Sequence, residues 1–414
     1  MVDWKKKMML KRLSKKILKV LAVTTISIIF IICIAIFAMW IDHKAETRLP
    51  APTGKYAVGR AEYDWIDTTR MDEMAPQKDV KRELLAWIWY PAATTKKLHK
   101  LADYMPPSWQ KEIERNSGWL MTHLITRDLS RVQTHSIQNA QVSSEHSSYP
   151  VVIMRAGLSA LTLTYTTLAE DLASHGYIVV GFDVPYRTFV VVRPNGNVIA
   201  RAPQNDADRL TGPEQTKLAT KLESAWSNDM SFAVDELERM NISDPRFRNR
   251  LNMQSVGVFG HSLGGATALQ FCCNDSICKA GIDIDGAPLG NVILKGVTQP
   301  FMFLLGDHHN EPQTEVRQIM ANTHSVYDHL PPDRRTLLMI RGANHFMFSD
   351  NAVLKSPLVL NLLHMLGILH IDGRRQLNIT AYSVRTFFDH YLKDSDISEL
   401  KIRTPRYPEL QTIK

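Results

Sequence analysis

The sequence predicts an α/β domain built on a mostly parallel sheet flanked by helices and preceded by one N-terminal apolar helix. Three observations carry that expectation. Short runs rich in Val, Ile and Phe alternate with stretches of helical apolar spacing. Val20 to Trp40 is 21 residues without a formal charge. Finally, Gly260-His261-Ser262-Leu263-Gly264-Gly265 lies between an apolar run and a helical one, as a strand–turn–helix junction.

From the N-terminus, residues 1–19 carry eight lysines and arginines against Asp3 alone, which accounts for the whole net charge of +7. The rest of the chain is formally neutral, so nucleic-acid binding has no basis. The apolar run that follows would span about 30 Å as a helix, the thickness of a bilayer's hydrocarbon. A cleaved signal peptide is the alternative, but its apolar part usually runs about 7–15 residues to a small-x-small site. Here the run is longer, ends in Trp40 and offers only the poorly placed Ala35 and Ala38. A retained single-pass anchor is expected over 20–40. The positive flank keeps 1–19 in the cytoplasm and puts the remainder across the membrane. Residues 41–53, with Pro50 and Pro52, read as a short tether, and 54–414 as one catalytic domain.

Within that domain, Tyr56–Trp65 and Leu84–Tyr90 are expected as an opening antiparallel pair. Val151–Met154, Tyr177–Phe182, Ser255–Phe259, Ala280–Ile284, Phe301–Leu305 and Leu337–Ile340 read as central strands. Leu163–Ser174, Glu214–Met240 and Leu263–Cys272 carry helical spacing. Phe189–Ile199 folds back at Pro194-Asn195-Gly196-Asn197 as a hairpin insertion. Pro357–Ile371, interrupted by Asn361, His364 and Gly367, is expected as a helix packed beside the site rather than a second span; a lipid-facing surface is the sharper alternative. Cys272, Cys273 and Cys278 lack the histidine spacing of a zinc site, and either of the first two could bridge to Cys278 or all could be ordinary thiols.

The tight Gly-x-Ser-x-Gly turn crowds its neighbours, so Gly260 and Gly264 avoid clashes that a Cβ would cause. It pushes the Ser262 hydroxyl out at the carboxyl end of the sheet, above a helix N-terminus. A serine alcohol needs a base to take its proton and a carboxylate to orient that base. His345, in Arg341-Gly342-Ala343-Asn344-His345-Phe346 after the strand LLMI, follows the turn and lies on a late loop, as a base should. His308 and His309 follow an earlier strand and read as loop residues, His364 and His370 as part of an apolar helical stretch, and His261 as packing within the turn. For the acid, Asp285 before Gly286 and Asp307 at the end of FMFLLGD are both open, while Asp283 reads as structural.

In these features the chain resembles the α/β-hydrolases of the plasma-type platelet-activating-factor acetylhydrolase family and their bacterial esterase relatives. The resemblance covers roughly 54–393. Its marks are WYPA at 89–92, Asp171-Leu172-Ala173-Ser174-His175-Gly176, GHSLGG, Asp285-Gly286, GANHFMFSD and the late Phe387-Phe388-Asp389-His390-Tyr391-Leu392. Carried over, it implies Ser262 as nucleophile, Asp285 as acid and His345 as base. It also implies an oxyanion hole from the N–H groups of Leu263 and Leu158. The segment Arg155-Ala156-Gly157-Leu158-Ser159 departs from the family's usual Ser-His-Gly-Leu-Gly, which bears on pocket shape and acyl preference. The implied activity is hydrolysis of short-acyl esters or phospholipids through an acyl-enzyme, with no metal and no organic cofactor. Lactones are consistent with the same residues. A non-catalytic binding module tethered to the membrane is the reading from another class.

Overall fold

A computed structural model describes residues 2–93, 100–308, 312–396, 398–401 and 404–413. The chain opens with one continuous helix, α1 (Val2–His43), which runs from the basic segment through the apolar one. From Lys7 to His43 it is apolar enough to cross a membrane, a test that a signal sequence also passes. The expected tether is not loose: Thr47–Arg48 (β1) pairs with Val132–Gln138 and Leu49 is buried. Backbone edges of a large sheet recruit such short strands whatever their composition suggests.

Among the described residues the sheet has 12 strands. In chain order they continue with β2 (Ala57–Met71), β3 (Lys81–Ala92), β4 (Leu101–Asp103), β5 (Val132–Gln138), β6 (Tyr149–Arg155) and β7 (Ile178–Asp183). The small hairpin β8 (Val190–Val192) and β9 (Val198–Ala200) stands apart, as its turn residues predict. β10 (Leu251–His261), β11 (Cys278–Ile284), β12 (Phe301–Leu305), β13 (Arg335–Ile340) and β14 (Leu410–Thr412) complete the sheet. The spatial order is β1-β5-β2-β3-β7-β6-β10-β11-β12-β13-β14, with β4 beside β5. From β7 to β13 every pairing is parallel; β2, β3 and β14 add antiparallel ribs at the flanks. This is the α/β-hydrolase architecture expected above.

Period-two alternation drives the layering. Along β6, Val152 and Met154 join one core while Val151 and Ile153 join the other, and along β12 Met302 and Leu304 oppose Phe301 and Phe303. Each such side chain contributes roughly 1.5–3 kcal/mol on burial. The longer helices are α2 (Pro107–Ser117), α3 (Thr166–Ser174), α4 (Gly212–Ser243), α5 (Leu263–Asn274), α6 (Gln313–Tyr327), α7 (Pro357–Met365) and α8 (Gly373–Lys393). The apolar helix α7 has no fully buried side chain: Leu360 and Leu363 pack inward, while Leu358, Leu362 and Met365 face outward. Cys272 at the end of α5 is disulfide-bonded to Cys278 at the start of β11, leaving Cys273 free.

The end of α1 is sewn to the domain. His43 is buried, with Nδ1 2.8 Å from the Thr126 carbonyl, and its own carbonyl accepts from Asp128 N–H at 3.0 Å. Asp42 pairs with Arg127 and Lys44 with Asp128, each at 2.9 Å.

Candidate active site

The carboxyl ends of β10, β11, β12 and β13 deliver side chains to one edge of the sheet, where ligands of open parallel sheets collect. Ser262 follows β10 with φ 57° and ψ −128°, a conformation few side chains adopt. Glycines make it possible. A Cβ on Gly260 would lie 2.0 Å from the Gly264 carbonyl oxygen, and one on Gly264 would lie 2.4 Å from that of Arg155. The turn is locked as Ser262 N–H donates to Ile284 O at 2.8 Å and Gly265 N–H to Ser262 O at 2.8 Å.

His345 begins a short turn after β13. Its Nδ1 lies 2.7 Å from Asp285 Oδ2 and its Nε2 3.1 Å from Ser262 Oγ. The turn is held from outside. Asn344 N–H donates to Gln376 Oε1 at 3.0 Å while Gln376 Nε2 returns to Asn344 O at 2.8 Å. Asp307, the rival acid, sits under the same turn, where its Oδ2 accepts from Gly342 N–H at 2.8 Å.

Asp285 follows β11 at φ 53°, with its carboxylate out of contact with water. Oδ1 accepts from Gly306 N–H at 2.6 Å and from His308 Nε2 at 2.8 Å. Burial alone would raise this carboxyl. The hydrogen bonds from His308 and His345, and the charge of their rings, override it and hold the group well below the usual carboxylate range. An ionised carboxylate only accepts, so His345 donates through Nδ1–H, and in the neutral ring Nε2 then turns a lone pair toward the Ser262 hydroxyl. Gly286 belongs to the same packing, since its Cβ would sit 2.6 Å from Ser262 O. His261 packs beside His345, ring centroids 4.6 Å apart, and shares a 2.7 Å hydrogen bond with the Tyr165 hydroxyl. Burial first, then the charge of His345, pushes its imidazole down to about 3, so it stays neutral.

Behind the turn lies a second acidic pocket. Asp283 takes one N–H, from Gly286 at 2.8 Å, and burial pushes it well above the carboxylate range. Glu223 on α4 is raised to about 8 by burial alone. Leu263 opens α5, so its N–H has no intrahelical acceptor. Leu158 lies on the facing turn, and its side chain joins Leu263, Leu222 and Trp226 in one apolar cluster. Next to that turn, Ser159 Oγ donates to Asp208 Oδ2 at 2.5 Å. A cavity of about 410 Å³ runs from Ser159, Ala160 and Leu161 to His43, Met121 and Arg127. Among the described residues, no group of three or more His, Cys, Asp or Glu side chains is gathered as metal ligands.

Ser262, Asp285 and His345 thus meet at hydrogen-bonding distance, whereas Asp307 engages the backbone of the His345 turn. His364 contacts the Leu369 carbonyl at 2.9 Å on the α7 side. His309 lies outside the described residues. The sequence reading missed His308, Gln376 and Tyr165. His308 alone left a signal: it follows a strand that ends at the same sheet edge as Asp285.

The fold and this constellation define an α/β-hydrolase with the layout of an ester hydrolase. A solved structure supports the fold: the ferulic acid esterase from Streptomyces cinnamoneus superposes with a TM-score of 0.71 at 22% identity, over 89% of this chain and 100% of that one. The family model for platelet-activating factor acetylhydrolase, isoform II, matches residues 41–185 and 236–401. This chain belongs to that family and is a carboxylic ester hydrolase. It is 22% identical over 377 residues to the platelet-activating factor acetylhydrolase of Canis lupus familiaris, covering 85% of this chain and 79% of the relative. It is 24% identical over 389 residues to a probable 1-alkyl-2-acetylglycerophosphocholine esterase of Arthroderma benhamiae, covering 87% and 92%.

Proposed function

We propose that the chain is a membrane-anchored serine esterase in which Ser262, His345 and Asp285 form the catalytic triad. The observation that carries this reading is the His345 ring bridging Ser262 Oγ at 3.1 Å and Asp285 Oδ2 at 2.7 Å. His345 Nε2 takes the hydroxyl proton as Ser262 Oγ bonds to the ester carbonyl carbon. The N–H groups of Leu263 and Leu158 receive the negative oxygen of the tetrahedral intermediate. Asp285 stabilises the imidazolium, which then protonates the departing alcohol. Water, deprotonated by His345, attacks the acyl-Ser262 ester, and the carboxylic acid leaves with the serine restored.

The substrates proposed are phospholipids or small esters with a short acyl group, in keeping with the names of the relatives. The apolar stretch of α1 serves as the anchor, with residues from about 41 onward outside the cytoplasm. A fluorophosphonate probe should label the folded protein at Ser262 and leave Ser262→Ala unlabelled. An ester panel of rising acyl length, with a 2-acetyl phospholipid included, should show turnover falling as the acyl chain lengthens. Unlabelled wild-type protein would remove the serine mechanism. Protease added to cells with only the outer layer opened should digest the domain; full protection would reverse the topology.

A further inference from the structure

We propose that His308 is a positioning residue for Asp285, forming with His345 a two-imidazole clamp on one carboxylate; the proposal rests on the triad reading above. The geometry is specific. Asp285 is faced by Gly306 and His308 from the loop after β12 and by His345 from the turn after β13. Among the described residues, Asp283 on its own strand and His261 in the Ser262 turn are the other titratable groups near it. Among those residues Oδ1 receives two donors, at 2.6 and 2.8 Å, and Oδ2 receives His345 at 2.7 Å.

Rotation of an aspartate about its last torsion is soft, because that well is broad. Without His308, Oδ1 would be held among the described residues by the Gly306 N–H only, opposite the single contact of Oδ2 with His345. His308 supplies a further fixed point, so Oδ2 stays aimed at His345 Nδ1. The ring is only 14% exposed, and its Nε2 points inward at the acid.

The test uses the full chain in detergent with p-nitrophenyl acetate, comparing His308→Phe and His308→Gln. His308→Phe should lower kcat about tenfold with KM nearly unchanged. His308→Gln, which returns an N–H to the place of Nε2, should restore kcat. A wild-type kcat in His308→Phe, or a lowered one that His308→Gln leaves unrestored, overturns the proposal. Should His308→Phe not fold, proton NMR of the histidine-labelled wild type decides: two strongly downfield imidazole N–H signals are expected. His308→Gln should lose one and Asp285→Asn both; a single signal in the wild type overturns the clamp. If Ser262→Ala or Asp285→Asn hydrolyses ester like the wild type, the triad reading falls and takes the clamp with it. If both are inactive, only the role of His308 is at stake.

Discussion

The two carboxyl pockets at the end of β11 stand two residues apart, and both exclude water, yet they hold opposite charge states. Around Asp285 the chain gathers Gly306 N–H, His308 and His345, and the group is held ionised. Around Asp283 it supplies one N–H from Gly286, with Glu223 as a further acid nearby, and burial drives the proton on. The contrast shows that donors, not depth, decide whether a buried acid is charged.

The strongest way to break this comparison is to remove the charge from the donor-rich pocket and, as a control, from the neighbouring Asp307. Asp285→Asn should cost on the order of 10³-fold or more in turnover, because an uncharged side chain neither fixes the His345 tautomer nor stabilises its cation. Asp307→Asn should stay within about tenfold, since an amide oxygen still accepts the Gly342 N–H. Steady-state kinetics on variants with wild-type-like thermal unfolding would decide, and the reverse ranking transfers the role to Asp307.

In the donor-poor pocket, the expected effect is on stability and runs the other way. The Glu223 carboxyl lies near 8 in the fold and near 4.3 in the unfolded chain. A raised folded value means that this group's stabilisation is complete below about pH 4 and is lost as the pH climbs toward 8. Glu223→Gln should therefore leave the unfolding temperature unchanged in acid and raise it increasingly between about pH 5 and pH 8. A flat difference across that range would put Glu223 in contact with solvent or a cation. The smallest effect belongs to the seam at the end of α1, where charges are partly solvated. Arg127→Ala should cost about 1–2 kcal/mol, and the loss should shrink in high salt. A salt-independent loss would point to packing instead.

Much of the sheet was legible because its signals are local. β6, β10, β11, β12 and β13 announce themselves as short apolar runs, and the Gly260–Gly265 turn by steric necessity. Residues alone leave the choice between Asp285 and Asp307 open, since both acids end adjacent strands and their neighbours come from distant loops. His308 reads as a loop residue because its contact with Asp285 needs two loops to meet, which no spacing along the chain encodes. Pro50 and Pro52 mark 41–53 as a tether, whereas the edge of β5 that pairs with Thr47 and Arg48 leaves no local signal there. β4 and β5 are not legible because each is short or half-polar and gains order from its partner.

The stitched end of α1 bears on mechanics. Asp42, His43 and Lys44 pass force to Thr126, Arg127 and Asp128 in parallel with the main chain. The helix is 42 residues long, a rod of about 63 Å, and it meets the domain at a welded joint rather than a swivel. Bending the rod strains the 126–128 segment, which also lines the cavity beside Ser159. The load path between rod and domain therefore runs through these side chains as well as through the peptide bonds from Lys44 to Thr47.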